Sequence, residues 1–328
     1  MSSSDNRSRS QLLTPCCAPT KARAELLLSS VTQSNSRVRA TGGSVEDMIR
    51  VEKTEFLMGS EESDAVQADG EGPVRRVLVD SFYLDREPVT NIQFAEFVRQ
   101  TAYRTDAERF GWSFVFRNHL PPTWNAEEHP PTLPWWCKVD RADWSHPEGP
   151  DSSIASRDNH PAIHVSWNDA RAYAQWAGKR LATEAEWEVA ARGGLEQQRF
   201  PWGSELTPKG KHLCNIWQGE FPDFDTGEDG FTGTSPADAY AANAFGFRSM
   251  TGNVWEWCFD WFSQDYHRYA SRRNPVGPPQ GATKTMKGGS FLCHASYCNR
   301  YRVSARSSNT PDSTTANIGF RCARDVAS

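Results

Sequence analysis

The sequence predicts one irregular, loop-rich α+β domain, not a helix bundle or a doubly wound sheet. Three observations predict it. The chain holds 23 glycines and 20 prolines among its 328 residues, which punctuate it into many turns and few long elements. It carries 13 tryptophans, rings large enough to fill a core that helices and strands do not pack regularly. Three short amphipathic helical patterns stand among short strand-like runs, and no internal repeat is visible. At roughly 150 residues per domain the length allows one or two domains. No boundary divides residues 45–326, so residues 45–328 are expected to be a single catalytic domain. No apolar run reaches the roughly 18 residues of a membrane span. The net charge of −5 supplies no global attraction to nucleic acid or an anionic membrane. Neither is an expected partner, and a monomer is expected.

Residues 1–44 are polar, rich in Ser, Thr and Arg, and aperiodic, which predicts a disordered or loosely attached tail. Cys16 and Cys17 lie there and are incidental to the fold. So does the glycosylation sequon Asn6-Arg7-Ser8, which is discounted. The longest apolar run of the tail, Ala24 to Leu28, is broken by Glu25 and makes no signal-peptide core. A cytoplasmic, reducing setting with free thiols is therefore expected.

Short strands are predicted around Ile49 and Val51, Phe56 and Met58, Val77 and Val79, and Phe82 to Leu84, ending at the Asp85-Arg86-Glu87-Pro88 turn. Thr90 with Gln93 three residues on is a capping box that opens a helix with Phe94, Phe97 and Val98 on one face. Ser166 with Asp169 opens a second, carrying Tyr173, Ala174 and Ala177, and Gly178 stops it. Thr183 with Glu186 opens a third, carrying Trp187, Ala190 and Ala191, and it ends at Gly193-Gly194. Residues 104–162 and 200–285 are rich in Trp and Pro without a clear period. Loops of that length in a compact domain are functional or held by ligands.

Chemistry concentrates between Lys287 and Arg302. Cys293 and Cys298 stand five apart with Ser290, His294, Tyr297, Arg300 and Arg302 around them. In a straight strand five residues cover ~17 Å and the side chains face opposite sides. In a helix they sit ~140° apart. The backbone must bend if the thiols cooperate. From spacing alone three readings stay open: unrelated buried thiols, a small-loop disulfide, or a redox or soft-metal pair. Two thiolates are too few for tetrahedral zinc but suit Cu(I). Arg300, Arg302 and His294 would favour the thiolate. The acidic run Asp223 to Gly230 is either a solvated loop or a Ca2+ site. It is not an EF-hand, because the glycine offset fails and Thr234 replaces the closing Glu. His160 and His164 are four apart, but Pro161 argues against a helical metal face. Cys137, Cys214 and Cys258 are assigned to packing.

The run Gly288-Gly-Ser-x-x-Cys293-His-x-Ser-Tyr-Cys298-x-Arg-Tyr-Arg302 also resembles a known signature. Ala305-Arg-Ser-x-Asn-Thr-Pro-Asp-Ser313 and Asn317-x-Gly-Phe-Arg-Cys322 continue it. Upstream stand Pro134-Trp-Trp136, His146-Pro-Glu-Gly-Pro-Asp-Ser152, His160-Pro161, His164-Val-Ser-Trp-Asn-Asp169, Gly178-Lys-Arg-Leu181, Thr183-Glu-Ala-Glu-Trp187, Phe200-Pro-Trp-Gly203, Asn215-Ile-Trp-Gln-Gly-Glu-Phe221 and Gly252-Asn-x-Trp-Glu-Trp257. Together these resemble the formylglycine-generating, sulfatase-modifying enzymes over residues 45–325. The paired-cysteine element is far more specific than the scaffold motifs.

The resemblance implies a variant C-type lectin-like fold with low regular secondary structure. It implies an oxidase that uses O2 to convert the cysteine of a Cys-x-Pro-x-Arg motif, in an unfolded sulfatase polypeptide, to Cα-formylglycine. Cys293 and Cys298 correspond to the pair that binds Cu(I), and the client thiolate becomes the third sulfur ligand. Ser290 and Tyr297 match positions near the oxygen pocket. Trp255 and Asn317 match the active-site cleft, with Ser113 another such position and His294 on the substrate side. Calcium is implied at Asn215, Ile216, Asp229 and Phe231, with a second set at Ser249, Gly252, Val254 and Glu256, where Ser249 departs from an expected Asn. Secreted relatives carry disulfides where Ala174, Ala191 and Val303 stand here, and Cys322 is left without a mate. The rival readings are a non-catalytic paralogue or calcium-dependent binding module of the same fold, and an iron-dependent sulfoxide synthase, which would need a further histidine-bearing helical domain.

Overall fold

The computed structural model describes residues 44–122, 124, 129–130 and 133–326. The expected tail, with Cys16, Cys17 and the sequon at Asn6, therefore lies outside the described residues apart from Ser44.

Four strands open the fold: β1 (Met48–Val51), β2 (Thr54–Met58), β3 (Arg75–Val79) and β4 (Phe82–Asp85). They contain the apolar residues that predicted them. Helix α1 (Asn91–Thr101) follows, with the Thr90–Gln93 capping box formed and Phe94 and Phe97 buried. Within the stretch that showed no period lie α2 (Asp106–Phe110) and the hairpin of β5 (Trp112–Phe116) and β6 (Trp136–Asp140). The five residues of α2 are too few to show a helical period. All five positions of β5 are buried, so it has no alternating polar face.

Helix α3 (Trp167–Trp176) carries the Ser166–Asp169 box, and Gly178 follows it at φ 66°. After β7 (Arg180–Leu181), α4 (Glu184–Arg192) carries the Thr183–Glu186 box and ends at Gly193 at φ 56°. The small hairpin of β8 (Gly219–Glu220) and β9 (Phe224–Asp225) leads to the long strand β10 (Trp255–Trp261) and the single turn α5 (Tyr266–Tyr269). Strands β11 (Lys284–Lys287), β12 (Arg306–Asn309), β13 (Ile318–Gly319) and β14 (Cys322–Asp325) complete the order.

Two four-stranded sheets organise these pieces. One runs β1–β4–β14–β7, antiparallel throughout, so the last strand lies between two early ones. The other runs β12–β11–β10–β13 and is antiparallel except for the parallel pair β10–β13. That parallel pair positions the site. It sets Trp255 opposite Ile318, and the Trp255 amide donates to the Asn317 carbonyl at 2.9 Å.

Tryptophans fill the core as the composition predicted. Trp136, Trp187, Trp217, Trp255 and Trp257 are all fully buried. Their polar edges join elements that share no ladder. Trp257 Nε1 donates to the Val165 carbonyl at 3.0 Å and Trp167 Nε1 to the Cys258 carbonyl at 2.9 Å, tying α3 to β10. Buried ion pairs brace the rest: Arg321 on Glu256, Arg302 on Glu71, Arg306 on Glu184, and Arg192 with Lys287 on Glu188.

Candidate active site

Between β11 and β12 the chain leaves the sheet in a series of turns that carry the cysteines. Gly288 and Gly289 adopt φ 94° and 74°. A Cβ on Gly289 would come within 2.9 Å of the Arg300 carbonyl oxygen, so this close return of the chain requires glycine. The Cys293 amide donates to the Ser290 carbonyl at 2.9 Å, and the amides of Tyr297, Cys298 and Asn299 all converge on the His294 carbonyl. This is the bend that five residues in a regular element could not supply. It buries both thiols and brings Cys298 Sγ within 2.8 Å of Cys293 Sγ. That contact is well beyond the ~2.05 Å of a disulfide bond, so the two sulfurs are described as thiols.

The partners of Cys293 come from the core. The Ser290 amide donates to Cys293 Sγ at 3.4 Å, and the Trp217 amide donates to the Cys293 carbonyl at 3.2 Å. Ser290 Oγ accepts from Asn317 Nδ2 at 2.9 Å, and Asn317 Oδ1 accepts from Thr315 Oγ1 at 2.7 Å. Ser290 and Asn317 thus form one fixed polar pair directly beside Cys293. Trp255, hydrogen-bonded to Asn317 through its backbone, has a buried indole N–H with no hydrogen-bond partner among the described residues.

Tyr297 stands in an aromatic box. Its ring stacks on Phe221 at 4.4 Å and 11°, and Trp135 meets it edge-on at 5.0 Å. His294 is half-buried and its Nδ1 lies 2.7 Å from Ser296 Oγ. Ser113 is fully buried one link further out. Its hydroxyl meets His164 Nδ1 at 2.8 Å and Thr314 Oγ1 at 2.7 Å, and Thr314 leads along the chain to Thr315 and Asn317. The two histidines with a possible metal face do not act together: His160 Nδ1 pairs with Thr234 Oγ1, whereas His164 pairs with Ser113 and the Pro147 carbonyl.

One electrostatic expectation changes. Arg300 and Arg302 were expected to bias the thiols toward thiolate, but Arg300 Nε sits 2.5 Å from Asp69 Oδ2 and Arg302 forks onto both oxygens of Glu71 at 2.6 and 2.8 Å. Carboxylates neutralise these guanidiniums. Cys293 Sγ accepts from the Ser290 amide and from the Cys298 thiol.

Within the first expected calcium set, the Ile216 and Phe231 amides donate to Asp229, whereas Asn215 Nδ2 donates to the Gly233 carbonyl. Asp229 Oδ2 accepts from the Ile216 amide at 2.9 Å and from Gln218 Nε2 at 2.8 Å, and Gln218 Nε2 also donates to the Ile216 carbonyl. One side-chain amide therefore bridges two oxygens that a cation would share. Burial pushes the Asp229 carboxyl up, against the hydrogen bonds from Gln218, Phe231 and Ile216. Asn215 abuts Gly252, whose missing Cβ would lie 2.2 Å from the Asn215 carbonyl oxygen. The second set is engaged elsewhere. Both oxygens of Glu256 accept from Arg321 at 2.7 Å and one also from Trp187 Nε1, while Ser249 Oγ donates to the Ala237 carbonyl at 2.8 Å. Gly252 and Val254 are buried between these two residues. Among the described residues no group of three or more His, Cys, Asp or Glu side chains converges on a metal position.

A cleft of about 790 Å3 opens against Phe291 and Ala316, neighbours of the cysteine turn and of Asn317. Neither cysteine lines it. His119, Glu148, Asp151 and Arg157 give it polar walls. His119 carried no sequence signal; its ring stacks on Phe291 at 5.4 Å, and its Nε2 must donate to the Thr232 carbonyl at 2.8 Å. Burial pushes its pKa down.

The fold is the low-regularity α+β arrangement expected of this signature. PvdO of Pseudomonas aeruginosa shares it with a TM-score of 0.63 at 23% identity, over 85% of this chain and 94% of that one. CarF shares it with a TM-score of 0.50 at 18% identity, over 86% and 98%. A family model described as the sulfatase-modifying factor enzyme 1-like domain matches residues 33–326, and the chain belongs to that family. The formylglycine-generating enzyme of Thermomonospora curvata is 60% identical over 85% of this chain and 93% of the relative. That of Mus musculus is 53% identical over 85% and 75%. A Mus musculus relative named inactive Cα-formylglycine-generating enzyme 2 is 45% identical over 84% and 85%.

Proposed function

We propose that this protein converts a cysteine of a sulfatase polypeptide to Cα-formylglycine. In this reading it uses O2 and a single Cu(I) ion held by Cys293 and Cys298, and the client cysteine lies in a Cys-x-Pro-x-Arg motif of an unfolded chain. The observation that carries the reading is the pair of buried thiols at 2.8 Å in a chain 60% identical to a formylglycine-generating enzyme. The donor set fits the ion, because soft sulfur ligands select Cu(I).

Copper would supply the one-electron chemistry that lets a thiol react with O2. The chain's own residues do the rest. Cys293 and Cys298 offer two sulfurs, and the client would bring a third. The Ser290 amide donates to Cys293 Sγ and helps to fix its position. The Ser290–Asn317 pair and the unpartnered Trp255 indole N–H offer donors to a small polar molecule beside the sulfurs. The aromatic box around Tyr297 keeps water from that side, and the cleft beside Phe291 takes client residues that flank the motif. Ser113 holds Thr314, and with it the approach to Asn317, in place. Overall, the client CH2–SH, one O2 and two thiols of the added reductant would give the aldehyde, hydrogen sulfide, the reductant's disulfide and water.

Calcium at Asn215, Ile216, Asp229 and Phe231 would pin a loop that no long ladder holds. Ser249, Gly252, Val254 and Glu256 would have to give up existing hydrogen bonds to serve as a second site. We take the protein to act as a monomer in the reducing cytoplasm, a compartment in which buried cysteines stay as thiols.

The test uses purified protein, Cu(I), a thiol reductant, O2 and a Cys-x-Pro-x-Arg peptide. Mass spectrometry is expected to find the peptide with sulfur replaced by oxygen and a carbonyl that a hydrazide captures. A copper-loaded protein that leaves the peptide unchanged contradicts the proposal.

A further inference from the structure

The two sulfurs are held by different parts of the molecule. Cys293 is fixed from the core, through Ser290, Asn317 and the Trp217 amide. Cys298 is fixed from the loop between β2 and β3, more than 200 residues upstream. That loop makes one 3-10 turn, Gln67–Asp69, closed by Gly70 at φ 69°. Arg306 Nη1 donates to the carbonyls of Asp69 at 2.8 Å and Gly70 at 3.3 Å. The Arg306 guanidinium is itself forked onto Glu184 at the start of α4, at 2.5 and 2.8 Å. The backbone that carries Asp69 is therefore anchored from behind. Its carboxylate reaches forward to Arg300 Nε at 2.5 Å, and Arg300 Nη1 reaches the Cys298 carbonyl at 3.4 Å. Two residues on, Glu71 holds Arg302, whose Nε donates to the Asn299 carbonyl at 3.0 Å. Between the two anchored arms, Ala295 and Ser296 are exposed.

We propose that Asp69 is a positioning residue for the sulfur pair, acting through Arg300 to hold the Cys298 arm at its short distance from Cys293. An oriented pair reacts as if at high effective concentration, and loosening one arm lowers that concentration. Asp69 is the adjustable contact of the strut. Its partner Arg300 keeps 11% of its side-chain surface exposed, whereas Glu71 and Arg302 are buried to 0% and 1%. The inference rests on Cys293 and Cys298 being the working site, yet its test reads the thiols without copper or client. A failure to convert peptide would therefore sink the proposed function and leave this strut standing.

The measurement is the equilibrium of the full chain with reduced and oxidised glutathione, resolved by thiol trapping and mass spectrometry. Each turnover of that equilibrium takes the two thiol hydrogens, forms one Cys293–Cys298 S–S bond and converts one glutathione disulfide into two glutathione thiols. Asp69→Asn is expected to lower the effective concentration of the pair at least about tenfold, or roughly 30 mV for a two-electron couple. Asp69→Glu is expected to restore most of it. Arg300→Gln is expected to reproduce the loss, and the double variant to add nothing further, as for two residues acting along one path. A merely structural role would lower the melting temperature and leave the glutathione equilibrium where it was. An Asp69→Asn value within about twofold of the wild type, whatever its melting temperature, overturns the proposal. Should Asp69→Asn not fold, Arg300→Lys keeps the charge but loses the fork, and an unchanged equilibrium there overturns it equally.

Discussion

Cys293 and Cys298 are small, buried side chains, so replacing either with alanine removes one heavy atom from the core and little packing. Cys293→Ala and Cys298→Ala are each expected to cut peptide conversion by at least about a hundredfold while the melting temperature stays near that of the wild type. Conversion at full rate in either variant would remove that residue from the ligand set. Ser290 is a different case, because Asn317 Nδ2 donates to its hydroxyl in a site sealed from water. Ser290→Ala strands that donor and is expected to cost about 1–3 kcal/mol of stability. A denaturant titration checks it, and a change near zero would mean the amide finds another acceptor. At this scale residue type and spacing alone leave three readings of Cys293 and Cys298 open, and the paired-thiol reading comes from the resemblance of the whole Gly288–Arg302 run to a known signature. The charges around them were not legible, because the carboxylates that neutralise Arg300 and Arg302 come from positions 231 residues upstream.

The helices and the strands divide on the same principle. Capping is local, so Thr90, Ser166 and Thr183 announced α1, α3 and α4 within four residues of sequence, and all three boxes form. Thr183→Ala is expected to cost about 1 kcal/mol, read as a lowered unfolding midpoint. The loss matters more than that figure suggests, because α4 carries Glu184, which anchors Arg306, and Glu188, which accepts from Arg192 and Lys287. Strands β5 and β10 gave no period because almost every residue in them is buried. A strand covered on both faces reads as an apolar run, and in β10 that run is further disguised by Glu256 and Asp260. Their carboxylates are tolerated inside only because Arg321 and backbone amides reach them. The cysteine turn lies beyond local reading altogether, being shaped by glycines on one side and by the distant acidic loop on the other.

For the whole molecule, the buried ion pairs set the response to acid. Burial alone would raise Glu188, but Lys287 and Arg192 outweigh it and hold its carboxyl down at about 2, against an ordinary 4.5. A carboxyl depressed in the folded state stabilises that state above its unfolded value and loses the contribution as pH falls through the folded one. Stability is therefore expected to fall between about pH 5 and pH 2, and Glu188→Gln is expected to flatten that part of the curve; an unchanged slope would contradict the pairing. Calcium at the proposed site would act on the same global quantity. At a hundredfold excess over its dissociation constant it would add about 2.7 kcal/mol, so a calcium chelator is expected to lower the melting temperature by about 5 °C. An Asp229→Ala variant is expected to show no such shift, and a wild-type melt that ignores the chelator removes calcium from the account. The claim on which everything turns is tested most directly by competing the reduced protein against a chromophoric Cu(I) chelator. One tightly held Cu(I) per chain, absent from both cysteine variants, is the predicted result. A wild-type chain that takes up none, or alanine variants that bind as tightly, would contradict it.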